Sequence, residues 1–292
     1  MSNGQAFKVK EADIGMIGSL QCSSVSEWIS RKDHGFSRLQ PGPFRNKGFP
    51  WWLQLHKSRT NELHTMAPAP KLLFYGDSIT EEWRGTGRGK AKSHLSQASI
   101  LFRQAFVDRF GPAAVMAVAA DTANDLLWRL QNGEMPSERP SLTLLHIGIN
   151  NFGQFGANCW IRKPTRRKCK SKEDSFGEAA AQTVFLNVKA VIGELLQRCM
   201  FPLVITALFP TGYRWPHGAY GTTVPRVNEL LRHLAAQGPK DAVVVVDCAE
   251  AVLDPNTGGI DPKRMPDFLH PSLLGLQKWA DCLKPVLDRM LA

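Results

Sequence analysis

A serine follows directly after an apolar run in the stretch KLLFYGDSITEEW, residues 71–83. The apolar residues predict a strand buried on both faces, and the polar residues after Ser78 predict the start of a helix. In a parallel α/β sheet, ligands bind at the carboxyl ends of the strands, and the free N–H groups of a helix start favour developing negative charge. Gly76 allows a sharp turn and Asp77 can cap the helix, so Ser78 is a candidate nucleophile. The alternative is that Ser78 is merely a helix cap.

A serine nucleophile needs a general base, and eight histidines are available. His270 differs from the others because Asp267 precedes it by three residues in the proline-bracketed segment MPDFLHPS. A carboxylate that accepts the Nδ1 proton holds a neutral imidazole in the tautomer that can act as a base. His146, inside an apolar run, is expected to be a core histidine. The alternative for Asp267 and His270 is that they only cap the last helix.

Acyl transfer also needs hydrogen-bond donors for the oxyanion, the negative oxygen that forms when a nucleophile attacks a carbonyl. The run HIGINNFG carries Asn150 and Asn151 to the same sheet edge as Ser78, and an amide side chain can donate without carrying charge. Another run ends in AVAADTAN, where the peptide N–H of Ala120 is a second candidate donor. Three strand ends are therefore predicted to meet at one site.

The elements that would position these residues alternate along the chain. Apolar, β-branched-rich runs lie at 71–76, 113–119, 141–148, 203–209 and 242–247, with helical spacing between them. This alternation predicts a mainly parallel five-stranded sheet covered by helices on both faces. Asp121 is a candidate N-cap for the helix in DTANDLLWRLQ.

The first 48 residues break this alternation, because they are rich in glycine, serine and charge. We expect residues 1–48 to be an extension of uncertain order and residues 49–292 to form one domain. Trp51 and Trp52, in the helix that opens the domain, are expected to pack in its core.

The composition indicates a globular protein, with 43% hydrophobic and 21% charged residues among 292. The chain does not open on a basic start followed by an apolar core, and no apolar run approaches the roughly 18 residues of a membrane span. We therefore expect a soluble, cytoplasmic protein. The six cysteines lie far apart without a C-x-x-C pair, so we expect reduced thiols and neither a zinc site nor a disulfide framework.

The formal net charge of +10 raises the question of an acidic partner. Seven of the basic residues lie between 162 and 172, in a short proline-containing stretch. Nucleic-acid sites usually interleave basic residues with aromatic ones or present them along a helix. We therefore expect a solvated surface insertion and no nucleic-acid partner.

The motifs YGDSIT, GINN (148–151) and DFLH (267–270) resemble, in order and spacing, the blocks of the SGNH (GDSL-type) hydrolase superfamily of serine esterases. The resemblance runs from about residue 51 to residue 291. It is strongest to the branch that contains the catalytic subunits of platelet-activating-factor acetylhydrolase. It implies a three-layer α/β/α flavodoxin-like fold, with Ser78 as nucleophile, His270 as base and Asp267 orienting the base. The implied oxyanion donors are the backbone N–H groups of Ser78 and Ala120 and the amide of Asn150.

Ester hydrolysis through an acyl-enzyme is the function that this resemblance implies, without a metal or an organic cofactor. The G-x-S-x-G motif of the rival elbow hydrolases is absent from the sequence. The alternative is a non-catalytic relative that binds carbohydrate or protein. Two departures from the family pattern stand out: Ala120 replaces the usual glycine, and the basic 162–172 insertion is long.

The sequence leaves the acyl group and the alcohol of the substrate open, so a small-molecule, carbohydrate or lipid ester remains a candidate. Polar and aromatic residues of the neighbouring loops are candidates for the pocket wall: Asn151, Trp160, Tyr213 and Trp215. The oligomeric state is also open, a homodimer included.

Overall fold

The computed structural model describes residues 21–30, 50–155 and 177–292. Five strands form a parallel sheet in the order β4-β1-β5-β6-β7, and two short strands, β2 and β3, form an antiparallel hairpin. The strands are β1 (Leu72–Gly76), β2 (Thr86–Gly87), β3 (Lys90–Ala91), β4 (Ala113–Ala117), β5 (Leu142–His146), β6 (Leu203–Thr206) and β7 (Val243–Val246). Each strand of the sheet lies inside one of the predicted apolar runs, so the predicted α/β architecture is confirmed.

Helices cover the sheet on both faces. The described helices are α1 (Cys22–Ser30), α2 (Pro50–Thr65), α3 (Ser78–Glu81), α4 (Ala98–Phe102), α5 (Asp108–Phe110), α6 (Ala123–Gln131), α7 (Gly177–Gln197), α8 (Gly218–Ala236) and α9 (Leu273–Leu291). Helix α7 packs between α6 and α8 and also contacts α1, whereas α4 packs against α9. The arrangement is a three-layer α/β/α fold.

The aromatic core beneath α4 and α9 explains how the strands hold their helices. Phe74 of β1 contacts the rings of Phe102 and Phe106 with centroids 5.2 and 5.0 Å away. Trp83 lies 5.4 Å from both Phe106 and Trp279 of α9. These rings are almost fully buried, so they fix β1 and the chain that follows it against two helices.

Helix α7 is the one described helix that is long and apolar enough to cross a membrane, with a mean hydropathy of 1.3 over its most apolar window. Half of that window is buried inside the protein. Its buried residues include Val184, Val188 and Leu195, which join the main core. This is the packing of a core helix.

Helix α1 falls within the predicted N-terminal extension. Val25, Trp28 and Ile29 are buried in the main core, and Cys22 is bonded to Cys199, two residues beyond the end of α7. This part of the extension therefore packs against the rest of the fold. The basic 162–172 stretch, Trp160, Cys159 and Cys169 lie outside the described residues.

The prediction that the cysteines are reduced thiols is wrong for four of the six. Disulfides join Cys22 to Cys199 and Cys248 to Cys282. The partners are separated by 177 and 34 residues. Spacing in the sequence gives no sign of such pairs, because only the tertiary fold brings their Cα atoms within 5.6 and 5.8 Å.

Candidate active site

Ser78, His270 and Asp267 form a continuous chain of hydrogen bonds. Ser78 Oγ lies 2.9 Å from His270 Nε2, and His270 Nδ1 lies 2.8 Å from Asp267 Oδ2. The other carboxylate oxygen of Asp267 accepts the backbone N–H groups of His270 and Leu269 at 2.7 and 3.1 Å. The carboxylate thus fixes both the ring and the backbone of the histidine, and the ring presents its second nitrogen to the serine.

The charges around His270 favour its protonated form. Burial alone would lower the pKa of His270, but the hydrogen bond to Asp267 and the negative charge of Glu82 more than offset that effect and raise it above its usual 6.5. Burial opposes ionisation of Asp267 as well, but its bonds with His270 hold its pKa at about 2. Asp267 is therefore ionised at neutral pH, and an imidazolium formed at His270 is stabilised.

Ser78 follows β1 at the point where two neighbouring strands are paired with it. Gly76 is in register with Ala117 of β4 and His146 of β5. A Cβ on Gly76 would meet the Thr80 side chain and lie 2.6 Å from the His146 carbonyl oxygen. Glycine is thus needed here for close packing, whereas the sequence suggested a need for turning freedom; its φ is not positive.

Asp77 is the N-cap of α3, as predicted. Its Oδ1 accepts the backbone N–H of Ile79 at 3.0 Å. The carboxyl group is completely buried, and burial raises its pKa to about 7. Ser78 is the first residue of α3, so its N–H has no acceptor within the helix.

The candidate oxyanion donors lie at the ends of β4 and β5. Ala120 has a φ of 68°, in the left-handed region, and its N–H has no acceptor among the described residues. Asn150 Nδ2 donates one hydrogen to the Asp121 carbonyl oxygen at 2.9 Å. An amide nitrogen carries two hydrogens, and the second has no acceptor among residues 21–30, 50–155 and 177–292, so it is a candidate donor to a ligand. Asn150 and Ala120 line the same cavity as Ser78 and His270.

Glu81, in the same short helix as Ser78, anchors the turn that contains Ala120. One of its oxygens accepts the Ala119 N–H at 2.7 Å, and the other accepts the Gly89 N–H and the Thr86 hydroxyl, each at 2.8 Å. The carboxylate is completely buried. Glu81 therefore ties the turn after β4 to the β2–β3 hairpin.

A buried polar network supports that turn from the other side. The Asp121 carboxylate accepts Trp52 Nε1 at 2.6 Å and Arg129 Nε at 2.7 Å. Arg129 is also paired with Glu134, whose second oxygen lies 2.9 Å from His56 Nδ1. Burial alone would lower the pKa of Arg129, but the charges of Glu134 and Asp121 raise it, so the guanidinium stays ionised. Trp52 is buried as predicted, though it also serves as a donor; Trp51 is only half-buried, so the prediction that it packs in the core is wrong.

The prediction that Asp121 caps α6 is wrong by one residue. Thr122 is the N-cap and forms a capping box with Asp125. Asp121 is instead committed to Arg129 and Trp52. His146 is a core histidine, as expected: its exposed fraction is 2%, and burial lowers its pKa to about 4.

A cavity of about 270 Å³ opens beside the Ser78 hydroxyl. Within the described part of the chain its wall includes Gly87, Arg88 and Lys92 from the β2–β3 region and Leu269 beside the histidine. Lys92 Nζ donates to the buried Glu82 carboxylate at 2.7 Å. Arg88 extends over the ring of Trp51 at 5.4 Å. The wall of this cavity is thus partly cationic.

The residues predicted for the pocket wall lie elsewhere in the described structure. Asn151 is buried and binds α6, accepting the Ala123 N–H at 2.9 Å and donating to Asn124 Oδ1 at 3.2 Å. Tyr213 is exposed and packs edge-on against Phe268, and Trp215 packs on the core. The structure does not place these three among the residues that line the cavity.

The sequence alone did not single out several residues at this site. Glu81 and Glu82 follow Ser78 by three and four residues, a spacing that returns a helical side chain to the same face. This spacing is the feature of the sequence that could have identified Glu81 and Glu82 as neighbours of Ser78. No signal marked Arg88 or Lys92, because their place depends on the hairpin.

A serine joined to a histidine and an aspartate at the carboxyl edge of a parallel sheet is the arrangement of a serine hydrolase. The sequence profile of the GDSL-like lipase/acylhydrolase family matches residues 74–278, most of the chain. The chain belongs to this family.

Individual relatives agree with that membership. Platelet-activating factor acetylhydrolase IB subunit alpha1 from Homo sapiens is 24% identical over 242 residues, which cover 82% of this chain and 84% of that protein. The alpha2 subunit from Gallus gallus is 23% identical over 75% of this chain and 76% of its own length. A solved GDSL-like lipase from Bacteroides thetaiotaomicron superposes with a TM-score of 0.53 at 14% identity, over 80% of this chain and 97% of that one. The last comparison concerns the fold alone.

Proposed function

We propose that the protein hydrolyses a short-chain acyl ester, with an acetyl ester as the first candidate, through Ser78, His270 and Asp267. The observation that supports this most directly is the unbroken path from Ser78 Oγ to His270 Nε2 (2.9 Å) and from His270 Nδ1 to Asp267 Oδ2 (2.8 Å). Both distances suit direct proton transfer or hydrogen bonding without movement of a side chain.

In the proposed first step, His270 Nε2 takes the Ser78 proton while Oγ attacks the carbonyl carbon of the ester. The alcohol leaves with the proton that His270 returns, and the acyl group stays on Ser78. Water then attacks the acyl-enzyme, again losing a proton to His270, and releases the carboxylic acid. Asp267 stays ionised throughout and stabilises the imidazolium.

The oxyanion of each step is proposed to accept hydrogen bonds from the N–H groups of Ser78 and Ala120 and from Asn150 Nδ2. These donors are supported by two facts: within the described chain, Ala120 N–H lacks an acceptor and Asn150 Nδ2 donates a single hydrogen bond. Donors that are already fixed stabilise the developing charge without reorganisation.

The cavity beside Ser78, of about 270 Å³, accommodates a short acyl group. The relatives named platelet-activating factor acetylhydrolases make an acetyl ester a natural first substrate to test.

A series of p-nitrophenyl esters with acyl chains of two to eight carbons tests both parts of the proposal. We expect kcat/KM to be highest for acetate and to fall steadily with chain length. Acetylated sugars and platelet-activating factor assayed alongside distinguish among alcohols. A maximum at the longest chains would refute the short-acyl assignment while leaving ester hydrolysis intact.

A fluorophosphonate probe tests whether Ser78 is activated. We expect the wild-type protein to be labelled and Ser78→Ala to remain unlabelled and inactive with an unchanged melting temperature. Absence of labelling in the wild type would favour the alternative, a binding protein that retains the hydrolase fold.

A further inference from the structure

The disulfide between Cys248 and Cys282 closes a covalent loop that contains both Asp267 and His270. Cys248 lies two residues after β7 and Cys282 lies within α9, so the bond ties the edge strand of the sheet to the last helix. The two cysteines are 34 residues apart in the sequence. The proposed ester chemistry uses residues of this loop but gives no role to the bond that closes it.

Hydrogen bonds close the base of the short segment that carries Asp267 and His270. Ser272, two residues after His270, donates its N–H to the Arg264 carbonyl oxygen at 2.7 Å. Its hydroxyl donates to the Lys263 carbonyl oxygen at 2.6 Å. Ser272 is also the N-cap of α9. A movement of this base, or of the start of α9, is therefore transmitted to the histidine.

The Arg264 side chain joins this base to the chain that follows Cys248. Its Nη1 donates to the carbonyl oxygens of Glu250 and Leu253 at 2.8 and 2.7 Å. Glu250 follows Cys248 by only two residues. The disulfide thus joins two elements that both lead to the catalytic segment, one through Arg264 and the other through α9.

One further contact holds the segment independently of the disulfide. The Gly212 N–H donates to the Phe268 carbonyl oxygen at 2.9 Å. The bonds from Asp267 to the ring and the backbone of His270 are likewise internal to the segment. We therefore expect the segment to loosen locally, and not to unfold, when the disulfide is opened.

The disulfide lies in the wall of a cavity of about 710 Å³, which both cysteines line. Cys282 is partly exposed, whereas Cys248 is only 1% exposed. A disulfide opens when a thiolate attacks one of its sulfurs, so access decides which sulfur reacts. Cys282 is therefore the residue that a small thiol can reach, and Cys248 carries the leaving sulfur.

We propose that the Cys248–Cys282 disulfide is a redox-sensitive site that a small thiol opens from this cavity, and that its opening lowers turnover at the active site. The effect on turnover rests on the proposed ester hydrolysis, whereas the opening of the disulfide does not. The attacking thiolate bonds to Cys282 Sγ, and Cys248 Sγ leaves with the electron pair and takes up a proton. A second thiol molecule then displaces Cys282 from the mixed disulfide. In sum, the protein disulfide gains two electrons and two protons, and two thiol molecules are oxidised to one disulfide.

Treatment of the native full-length protein with excess reduced glutathione, followed by alkylation and peptide mass spectrometry, shows whether the disulfide opens without denaturation. Hydrogen exchange of the backbone amides at 263–272 then reports how tightly the segment is held. Hydrolysis of p-nitrophenyl acetate, assayed after removal of the glutathione, reports the consequence for turnover. We expect an opened bond, faster exchange and a fall in kcat of at least about threefold, because a small displacement of a catalytic group is costly.

Two paired variants separate this disulfide from the one between Cys22 and Cys199. In Cys22→Ser with Cys199→Ser, glutathione should still speed the exchange and lower kcat. Cys248→Ser with Cys282→Ser should show both effects before treatment, and glutathione should add nothing. A full response to glutathione in this second pair would overturn the proposal. The first pair keeps Cys248 and Cys282, so it decides the matter even if the second pair does not fold.

The remaining outcomes separate this proposal from the proposed ester hydrolysis. A disulfide that stays oxidised in the native protein, or that opens with exchange and kcat unchanged, would refute the redox-sensitive site while leaving the esterase intact. If neither state hydrolyses an ester, the proposed function fails. Even then, faster exchange at 263–272 on reduction supports the link between the disulfide and the segment, and unchanged exchange refutes it.

Discussion

Ala120→Gly tests whether the turn after β4 serves as an oxyanion donor through its backbone alone. The φ of 68° at Ala120 places a Cβ in the left-handed region, which costs an L-residue roughly 1–2 kcal/mol. Glycine removes that strain, but its greater backbone freedom stabilises the unfolded chain by about 0.4–1 kcal/mol. We therefore expect the variant to be more stable by about 0.5–1 kcal/mol. Its kcat should be kept or modestly raised, because the N–H remains.

Asn150→Ala removes a donor atom and not merely strain. Loss of a comparable side-chain donor lowers kcat by about 10²–10³, or roughly 2.7–4 kcal/mol of transition-state stabilisation. The KM should change little, because the donor acts most strongly on the oxyanion. The lost bond from Nδ2 to the Asp121 carbonyl oxygen should cost about 1 kcal/mol of folding stability.

Steady-state hydrolysis of p-nitrophenyl acetate and urea denaturation measure these quantities in the same preparations. Asn151→Ala is the matched control, because the adjacent amide binds Ala123 and Asn124 and does not line the cavity. It should lose stability while keeping a kcat within about threefold of the wild type. An inactive Ala120→Gly beside a fully active Asn150→Ala would refute this account, since the oxyanion would then be held elsewhere.

Three further predictions concern the histidine and the disulfides. Asp267→Asn should lower kcat less than His270→Ala, because the carboxylate orients and stabilises the ring but does not transfer the Ser78 proton; single-turnover rates on an acetyl ester measure this order. Because His270 must be unprotonated to act as the base and its pKa is raised, kcat/KM should rise with pH to a midpoint above 6.5. Glu82→Gln removes a negative charge that raises this pKa, so the midpoint should move to lower pH. An unchanged midpoint would show that Glu82 does not influence the pKa of His270. Denatured, unreduced protein should show no more than two of its six thiols to a thiol reagent and all six after reduction.

The residues of the hydrogen-bonded site could be found in the sequence because each depends on local order. Ser78 follows a strand, and Asp267 and His270 are three residues apart in one loop. Such local features predict that a side chain lies at a strand end or in a loop, and the prediction does not require the rest of the fold. The five strands could be predicted equally well, since runs buried on both faces have a distinctive composition.

The supporting contacts could not be found in this way because they join distant segments. The bond from Glu81 to the Ala119 N–H spans 38 residues, and the bond from Trp52 to Asp121 spans 69. Nothing in the composition of either segment selects its partner. Asp121 shows the same limit. Its residue type and position predict an N-cap, but the cap is the neighbouring Thr122, and the Asp121 carboxylate binds Arg129 instead.

The Glu81 carboxylate has a consequence for how substrate preference can evolve in this protein. Its oxygens hold the Ala119 N–H and the Gly89 N–H together, so the rim of the entrance and the neighbouring peptide of Ala120 are mechanically one unit. A change in the hairpin sequence that reshapes the entrance also displaces the Ala120 N–H, which is proposed to stabilise the transition state. Such a change would therefore alter substrate selectivity and lower kcat together. Variation at Leu269, on the histidine side of the cavity, carries no such link through Glu81. New preferences for the ester are therefore expected to arise first on that side.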